Sequence, residues 1–135
     1  MNTIGSHGFH HIAVAAGDFE RSAAFYRDGL GFEQLMAWGD HGNRAAMFDA
    51  GNGGRIELFE RSEHELRQGQ LLHLALRVED CRKAHTTALA AGAREVKPPQ
   101  DVEIPSQPVY PVTISFVAGP DGEEIEFFQE RCCFR

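Results

Sequence analysis

Basic residues are scarce beside acidic ones: 13 Lys and Arg stand against 20 Asp and Glu, a formal charge of −7. Nucleic acid and anionic membranes select clustered Lys and Arg, so neither is expected as the main partner. Long apolar runs are missing too, and none approaches the roughly 18–20 residues that cross a bilayer as a helix. Residues 1–8 lack the basic start and apolar centre of a secretory signal, which makes a cytoplasmic location the default expectation. Cysteine is sparse. Cys81, Cys132 and Cys133 are odd in number, no CxxC occurs, and a bridge between the adjacent pair would be strained. Three free thiols in a reducing compartment are expected.

What is present has the make-up of an ordinary globule: 42% hydrophobic and 24% charged residues in a chain of 135, the length of one compact domain. Its pattern reads as two similar modules, about 9–61 and 70–130, joined by a polar linker at 62–69. The first opens with Phe9-His10-His11-Ile12-Ala13-Val14-Ala15, where alternation sets Ile12 and Val14 on one face and His11, Ala13 and Ala15 on the other. His10 then faces away from His11. Asp18 is placed to cap a helix whose stripe is Phe19, Ala23, Tyr26 and Leu30. Strands follow around Phe32–Trp38, Arg44–Ala50 and Arg55–Arg61.

The second module repeats the plan. Leu71–Val78 alternates with His73, Ala75 and Arg77 on one face, and Asp80 caps a helix that ends at Gly92. A short strand at Ala93–Lys97, a proline-containing stretch from Pro98 to Pro111, and strands near Val112–Ala118 and Glu123–Glu130 complete it. Gly119-Pro120-Asp121-Gly122 is a turn signal between the last two. His11 and His73 each sit in an opening strand, and Glu57 and Glu126 each in a closing strand after a glycine turn. Internal duplication is the simplest account.

Those four residues carry the chemistry. Glu57 lies between Ile56 and Leu58, and Glu126 between Ile125 and Phe127. A glutamate so flanked either faces water or is compensated, because an unpaired buried carboxylate is costly. Two imidazoles and two carboxylates suit borderline divalent ions such as Zn, Ni, Co, Mn or Fe(II). A lone strand histidine is usually packed or solvated, and a lone edge glutamate usually solvated. Symmetry by itself leaves both readings open. Met36, Trp38, Met47 and Phe48 are candidates to line a pocket or to fill a core; His7, His41, His64 and His85 are given no role.

The stretches His11-Ile12-Ala13-Val14 with Asp18, Ser22 to Phe32, Ile56-Glu57-Leu58, His73 to Asp80, and Gly119-Pro120-Asp121-Gly122 leading to Ile125-Glu126-Phe127 resemble the vicinal-oxygen-chelate superfamily. That superfamily includes glyoxalase I, methylmalonyl-CoA epimerase, extradiol dioxygenases, and fosfomycin- and bleomycin-resistance proteins. The resemblance runs from about Phe9 to Gln129. It implies an α+β fold: one domain over 1–135, made of two tandem βαβββ modules forming a curved mixed sheet around a metal site. It implies one divalent metal on His11, Glu57, His73 and Glu126, with Zn, Ni, Co or Mn ahead of Fe(II).

The implied activity is a metal-dependent lyase or isomerase of glyoxalase type, which stabilises an enediolate or enolate of a small carbonyl substrate. Glu126 is the expected base, a ligand that detaches to take the proton, with Glu57 second. A homodimer is expected from the same resemblance. An extradiol-type Fe(II) dioxygenase and a non-catalytic small-molecule (drug) binding protein are the alternatives. The chain departs from glutathione-dependent relatives. A basic position falls at Ala15, others fall around Ile104 to Pro108 in the stretch Pro98–Pro108, which has no Lys or Arg, and Arg61 stands where an amide is found. A substrate free of glutathione is expected. Val102, Ile104, Val109 and Tyr110 in and beside that stretch read as a loop anchor, with contact to a more apolar substrate as the alternative.

Overall fold

The structure, a computed structural model, describes residues 3–62, 69, 71–119, 122 and 124–132. Linker residues 63–68 with His64, and also Gln70, Pro120, Asp121, Glu123 and Cys133, lie outside the described residues. In chain order the elements are β1 (Ser6–Ala16), α1 (Phe19–Ala24) with a wider turn at Phe25–Gly29, β2 (Glu33–Trp38), β3 (Ala45–Gly51) and β4 (Gly54–Glu60). There follow β5 (Leu71–Val78), α2 (Cys81–Ala90), β6 (Arg94–Ile104), β7 (Tyr110–Ala118) and β8 (Glu124–Glu130). This is βαβββ twice, the α+β fold expected. The chain divides into two compact units: His11–Leu72 with Pro105–Pro108, and Met1–His10 with His73–Ile104 and Val109–Arg135.

In the first unit the strand order is β2-β3-β4-β1, with β1 parallel to β4 and the other pairs antiparallel. Asp18 caps α1 by accepting the Arg21 amide at 3.1 Å. The helix lays Phe19 and Ala23 on Ala46, Phe48 and Leu58, with Tyr26 packed beside them. Leu30 departs from the expected stripe and is 49% exposed. The Leu30 amide bonds the Phe25 carbonyl, five residues back, at 2.8 Å, and this wider turn rotates Leu30 off the buried face. Glu60 closes the β2–β3 turn: it accepts the Gly42 and Arg44 amides and takes the Arg44 guanidinium at 3.0 and 2.8 Å.

In the second unit the order is β5-β8-β7-β6, with β5 parallel to β8. Asp80 caps α2 through the Lys83 amide. Val78, Cys81, Ala84, Val117 and Phe127 form its core. The expected short strand at Ala93–Lys97 and the loop after it are instead one strand, β6, paired to β7 through Pro98 and Pro99. Register shifts at Glu95/Lys97 and Lys97/Gln100 absorb the prolines, and in this unit β6 pairs on one side only, where a missing N–H costs no ladder bond. Cys81 is a buried free thiol and Cys132 an exposed one. Among the described residues no helix is long and apolar enough to cross a membrane.

Candidate functional site

In the first unit the parallel pairing sets Ala13 opposite Glu57 and His11 opposite Arg55. Alternation then brings His11, Ala13, Arg55 and Glu57 to one face, away from the Leu58 core. The small Ala13 leaves room for the Glu57 side chain to reach the imidazole. His11 Nε2 lies 2.9 Å from Glu57 Oε1, with side chains 0% and 7% exposed. The antiparallel register adds Met47 opposite Glu57, Met36 opposite Met47, and Trp38 and Phe59 opposite Ala45. Trp38 meets Phe59 edge-on at 6.5 Å. Met36, Met47 and Trp38 therefore share the face of Glu57, whereas Phe48 belongs to the core.

The second unit repeats the arrangement. Ala75 stands opposite Glu126 in the parallel pairing of β5 with β8, and His73 is two residues before Ala75. His73 Nε2 lies 3.0 Å from Glu126 Oε1, with side chains 9% and 5% exposed. Phe116, opposite Glu126 in β7, receives the His73 ring edge-on at 5.4 Å, and Lys97 Nζ sits 5.6 Å from the Phe116 centroid.

The fit of a divalent metal to these residues can be judged from the pairs. Each joins an imidazole nitrogen to a carboxylate oxygen away from water, which is a costly place for a carboxylate without a cation. Nitrogen and oxygen donors in this ratio match a borderline ion. Within each unit the pair, His11 with Glu57 and His73 with Glu126, offers donors of this kind.

Two features escaped the sequence reading. His10, which alternation turned away, is fully buried in the second unit. Its Nε2–H donates to the Tyr110 hydroxyl at 2.8 Å, and that hydroxyl donates to Glu130 Oε2 at 2.5 Å. Arg77 Nε holds Glu130 Oε1 at 3.1 Å, and the His10 ring stacks on Phe128 at 3.9 Å. Burial pushes the Glu130 carboxyl up, but the bonds from His10, Tyr110 and Arg77 outweigh it and hold the group at about 2. Tyr110 is thus an anchor, as expected of that stretch, while Val109 is exposed. The second feature is Arg55, a buried cation two residues before Glu57. The His-His doublet and the Arg-Ile-Glu sequence were the available signals. Of the remaining histidines, His85 pairs with Glu95 at 2.8 Å and His41 is a surface group 4.0 Å from Glu60.

Several known proteins are similar to this chain. It is 31% identical over 125 residues to the uncharacterized protein YwbC of Bacillus subtilis (strain 168), spanning 88% of this chain and 94% of that one. In fold it is similar to methylmalonyl-CoA epimerase from Mycobacterium tuberculosis, with TM-score 0.78, 21% identity, and 98% and 93% of the two chains covered. A Streptomyces coelicolor methylmalonyl-CoA epimerase variant in complex with 2-nitronate-propionyl-CoA gives TM-score 0.73 at 20% identity, covering 94% and 99%. A mutant 4-hydroxymandelate synthase from Streptomyces coelicolor gives TM-score 0.76 at 16% identity, covering 95% of this chain and 40% of that one. At these identities the structural likenesses carry the fold and leave the reaction open. Residues 8–127 match one family along nearly the whole double module, and on that match the chain belongs to the Glyoxalase/Bleomycin resistance protein/Dioxygenase superfamily, the vicinal-oxygen-chelate group.

Proposed function

We propose that this protein is a divalent-metal-dependent lyase or isomerase acting on a small carbonyl compound, without glutathione. The observation that carries the reading is the buried His–Glu pair made twice in the same register, His11 with Glu57 and His73 with Glu126. In this reading all four side chains hold one ion. A bound divalent ion supplies Lewis-acid stabilisation of the negative charge that a carbonyl oxygen gains when the neighbouring carbon loses its proton.

The protein's own part is to orient the carbonyl compound and move the proton. His11 and His73 fix the centre from the two opening strands. Glu126 is the proposed proton acceptor and Glu57 the second choice, by resemblance to relatives in which a glutamate ligand acts as the base; a bound cation would lower the carboxylate's basicity, and release from it would restore that basicity. Met36, Met47, Trp38 and Phe59 share Glu57's face and supply an apolar wall that favours a dry site. The absence of glutathione is supported by Ala15, a buried alanine where relatives that bind glutathione carry a basic group. It is also supported by the stretch Pro98–Pro108, which contains no Lys or Arg.

Elemental analysis of the purified native protein and of Glu57→Ala and His73→Ala tests this reading. One Ni, Zn, Co or Mn per chain, lost in both variants, is the expected result. Exchange of the acidic carbon proton into deuterated water should then be seen with hemithioacetals or acyl-CoA epimers. Iron kept without Glu57, together with oxygen consumption, would instead favour the extradiol-type dioxygenase. No metal after incubation with each ion would leave a small-molecule binding protein.

A further inference from the structure

Behind the face that carries Glu57, the first unit has a cleft between α1 and the β2–β3 hairpin. Ala46 stands opposite Leu58 of the core in the β3–β4 register, so the cleft it lines lies on the reverse side of β3 from Met47 and Glu57. Its floor is made of small residues: Ala23, Ala37 and Ala46 put only methyl groups under a space of about 180 Å³. A second space of about 210 Å³ opens beside it and reaches the strand ends at Trp38, Gly39 and Ala45. Phe19, Ala37 and Arg44 line both spaces, which are therefore two lobes of one cleft. Apart from Arg44 the second lobe is built of apolar residues, and an apolar cavity of roughly 150 Å³ is enough to take up benzene.

The first lobe is rimmed by charge, from Glu20, Arg27 and Arg44, with Gln34 beside them. Each arginine already has a protein partner. Arg27 grips Asp28 through Nε and Nη2, and Arg44 grips Glu60 through the same two nitrogens. Both leave Nη1 for groups that line the cleft. Arg27 Nη1 donates to Gln34 at 3.3 Å, whereas Arg44 Nη1 stands 3.6 Å from Glu20 Oε1, too far for a hydrogen bond. The Arg44 guanidinium also rests on the Phe19 ring, 4.9 Å from its centroid, which holds it between the two lobes. The Glu20 side chain is 84% exposed, and so open an ion pair contributes little by itself.

These charges select among ligands. A plain carboxylate would meet the two guanidiniums but also Glu20, and a plain amine would meet Glu20 but also the guanidiniums. A zwitterion satisfies both signs. In an α-amino acid one carbon separates the ammonium from the carboxylate, which suits a cation and an anion held 3.6 Å apart. We propose that this cleft binds a free α-amino acid with a large apolar side chain. The ligand carboxylate accepts from Arg44 Nη1, its ammonium donates to Glu20, and its side chain passes Phe19 into the apolar lobe. The site uses none of His11, Glu57, His73 and Glu126 and stands independently of the metal-centre reading.

Calorimetry on the full-length protein as purified, at neutral pH, tests this with L-phenylalanine. Three analogues each lack one part of it: 3-phenylpropanoate the ammonium, 2-phenylethylamine the carboxylate, and glycine the side chain. Phenylalanine is expected to bind one to one, and each analogue at least about tenfold more weakly. Ala37→Leu fills the floor that both lobes share and should weaken phenylalanine binding by at least about tenfold. Glu20→Gln should bring phenylalanine and 3-phenylpropanoate within about twofold of each other. Both positions are exposed, and urea unfolding checks that each variant is folded. No binding of phenylalanine by the native protein overturns the proposal. So does 3-phenylpropanoate or 2-phenylethylamine binding as tightly as phenylalanine. Native affinity in Ala37→Leu overturns it too, as does a full preference for phenylalanine over 3-phenylpropanoate in Glu20→Gln.

Discussion

Glu57 stands opposite Ala13, not opposite His11, in the parallel pairing of β1 with β4. The offset matters because a parallel ladder sets paired residues side by side, where an imidazole and a carboxylate would compete for the same space. Two residues of displacement let the glutamate lean along its strand over an alanine and reach the histidine ring. Ala75 opposite Glu126, with His73 two residues earlier, makes the same offset in β5 and β8. The repeated unit is thus a His-x-Ala strand beside a glutamate strand.

One consequence concerns stoichiometry. If the two pairs share an ion, native protein binds one per chain, and His11→Ala and His73→Ala each weaken it by at least about 100-fold, since even outer-shell partners of a ligand are worth 10–100-fold. Titration with competing chelators measures this. Two ions per native chain, each lost only with its own pair, would mean separate centres.

Metal should also stabilise the fold by mass action. With free metal at 100 times its dissociation constant the gain is about 2.7 kcal/mol, read as a rise in Tm over chelator-treated protein. Glu126→Ala should abolish the rise. An equal rise in native protein and variant would place the stabilising ion elsewhere.

Much of this was legible in the sequence because it was written twice. His11 and His73, Glu57 and Glu126, and the caps Asp18 and Asp80 each have a counterpart, and repetition lifts a signal that one strand histidine lacks. Where the chain has no counterpart, local rules lost to tertiary context. Pro98 and Pro99 read as a break, yet a strand paired on one side with shifted register accommodates them. His10 was assigned away from His11 by alternation, but both are buried. Its partners Tyr110 and Glu130 come from the far end of the chain, which no period of two or 3.6 can foresee. Arg55 was invisible for a related reason, since a charged residue at a strand start is usually solvated.

Tyr110→Phe should separate packing from the metal centre. The hydroxyl bridges His10 and Glu130, so its loss leaves a buried imidazole N–H and a carboxylate oxygen short of a partner. The expected cost is about 1–3 kcal/mol of stability by urea unfolding, with metal content unchanged. Loss of metal in this variant at full stability would show that the network acts on the centre instead.

The acid limb of the stability profile should report two carboxylates, one in each unit. Glu60 is held at about 2 by the Arg44 guanidinium and by the amides of Arg44 and Gly42, against an ordinary value of 4.5. Glu130 is also held at about 2, where burial opposes the shift and the bonds from His10, Tyr110 and Arg77 prevail. A carboxyl whose value is lower in the folded chain than in the unfolded one is bound by fewer protons when folded. Its contribution to stability is complete above about 4.5, shrinks as the pH falls, and is gone once the pH has passed through the folded value. Glu60→Gln and Glu130→Gln should each lower the urea midpoint at neutral pH and flatten the fall between about 4.5 and 2. Tyr110→Phe should weaken the Glu130 share alone, so that adding Glu130→Gln to it changes the limb less than in the native protein, while adding Glu60→Gln changes it in full. A Glu130→Gln profile that runs parallel to the native one down to about pH 2 would show that this carboxyl is not held low in the folded chain.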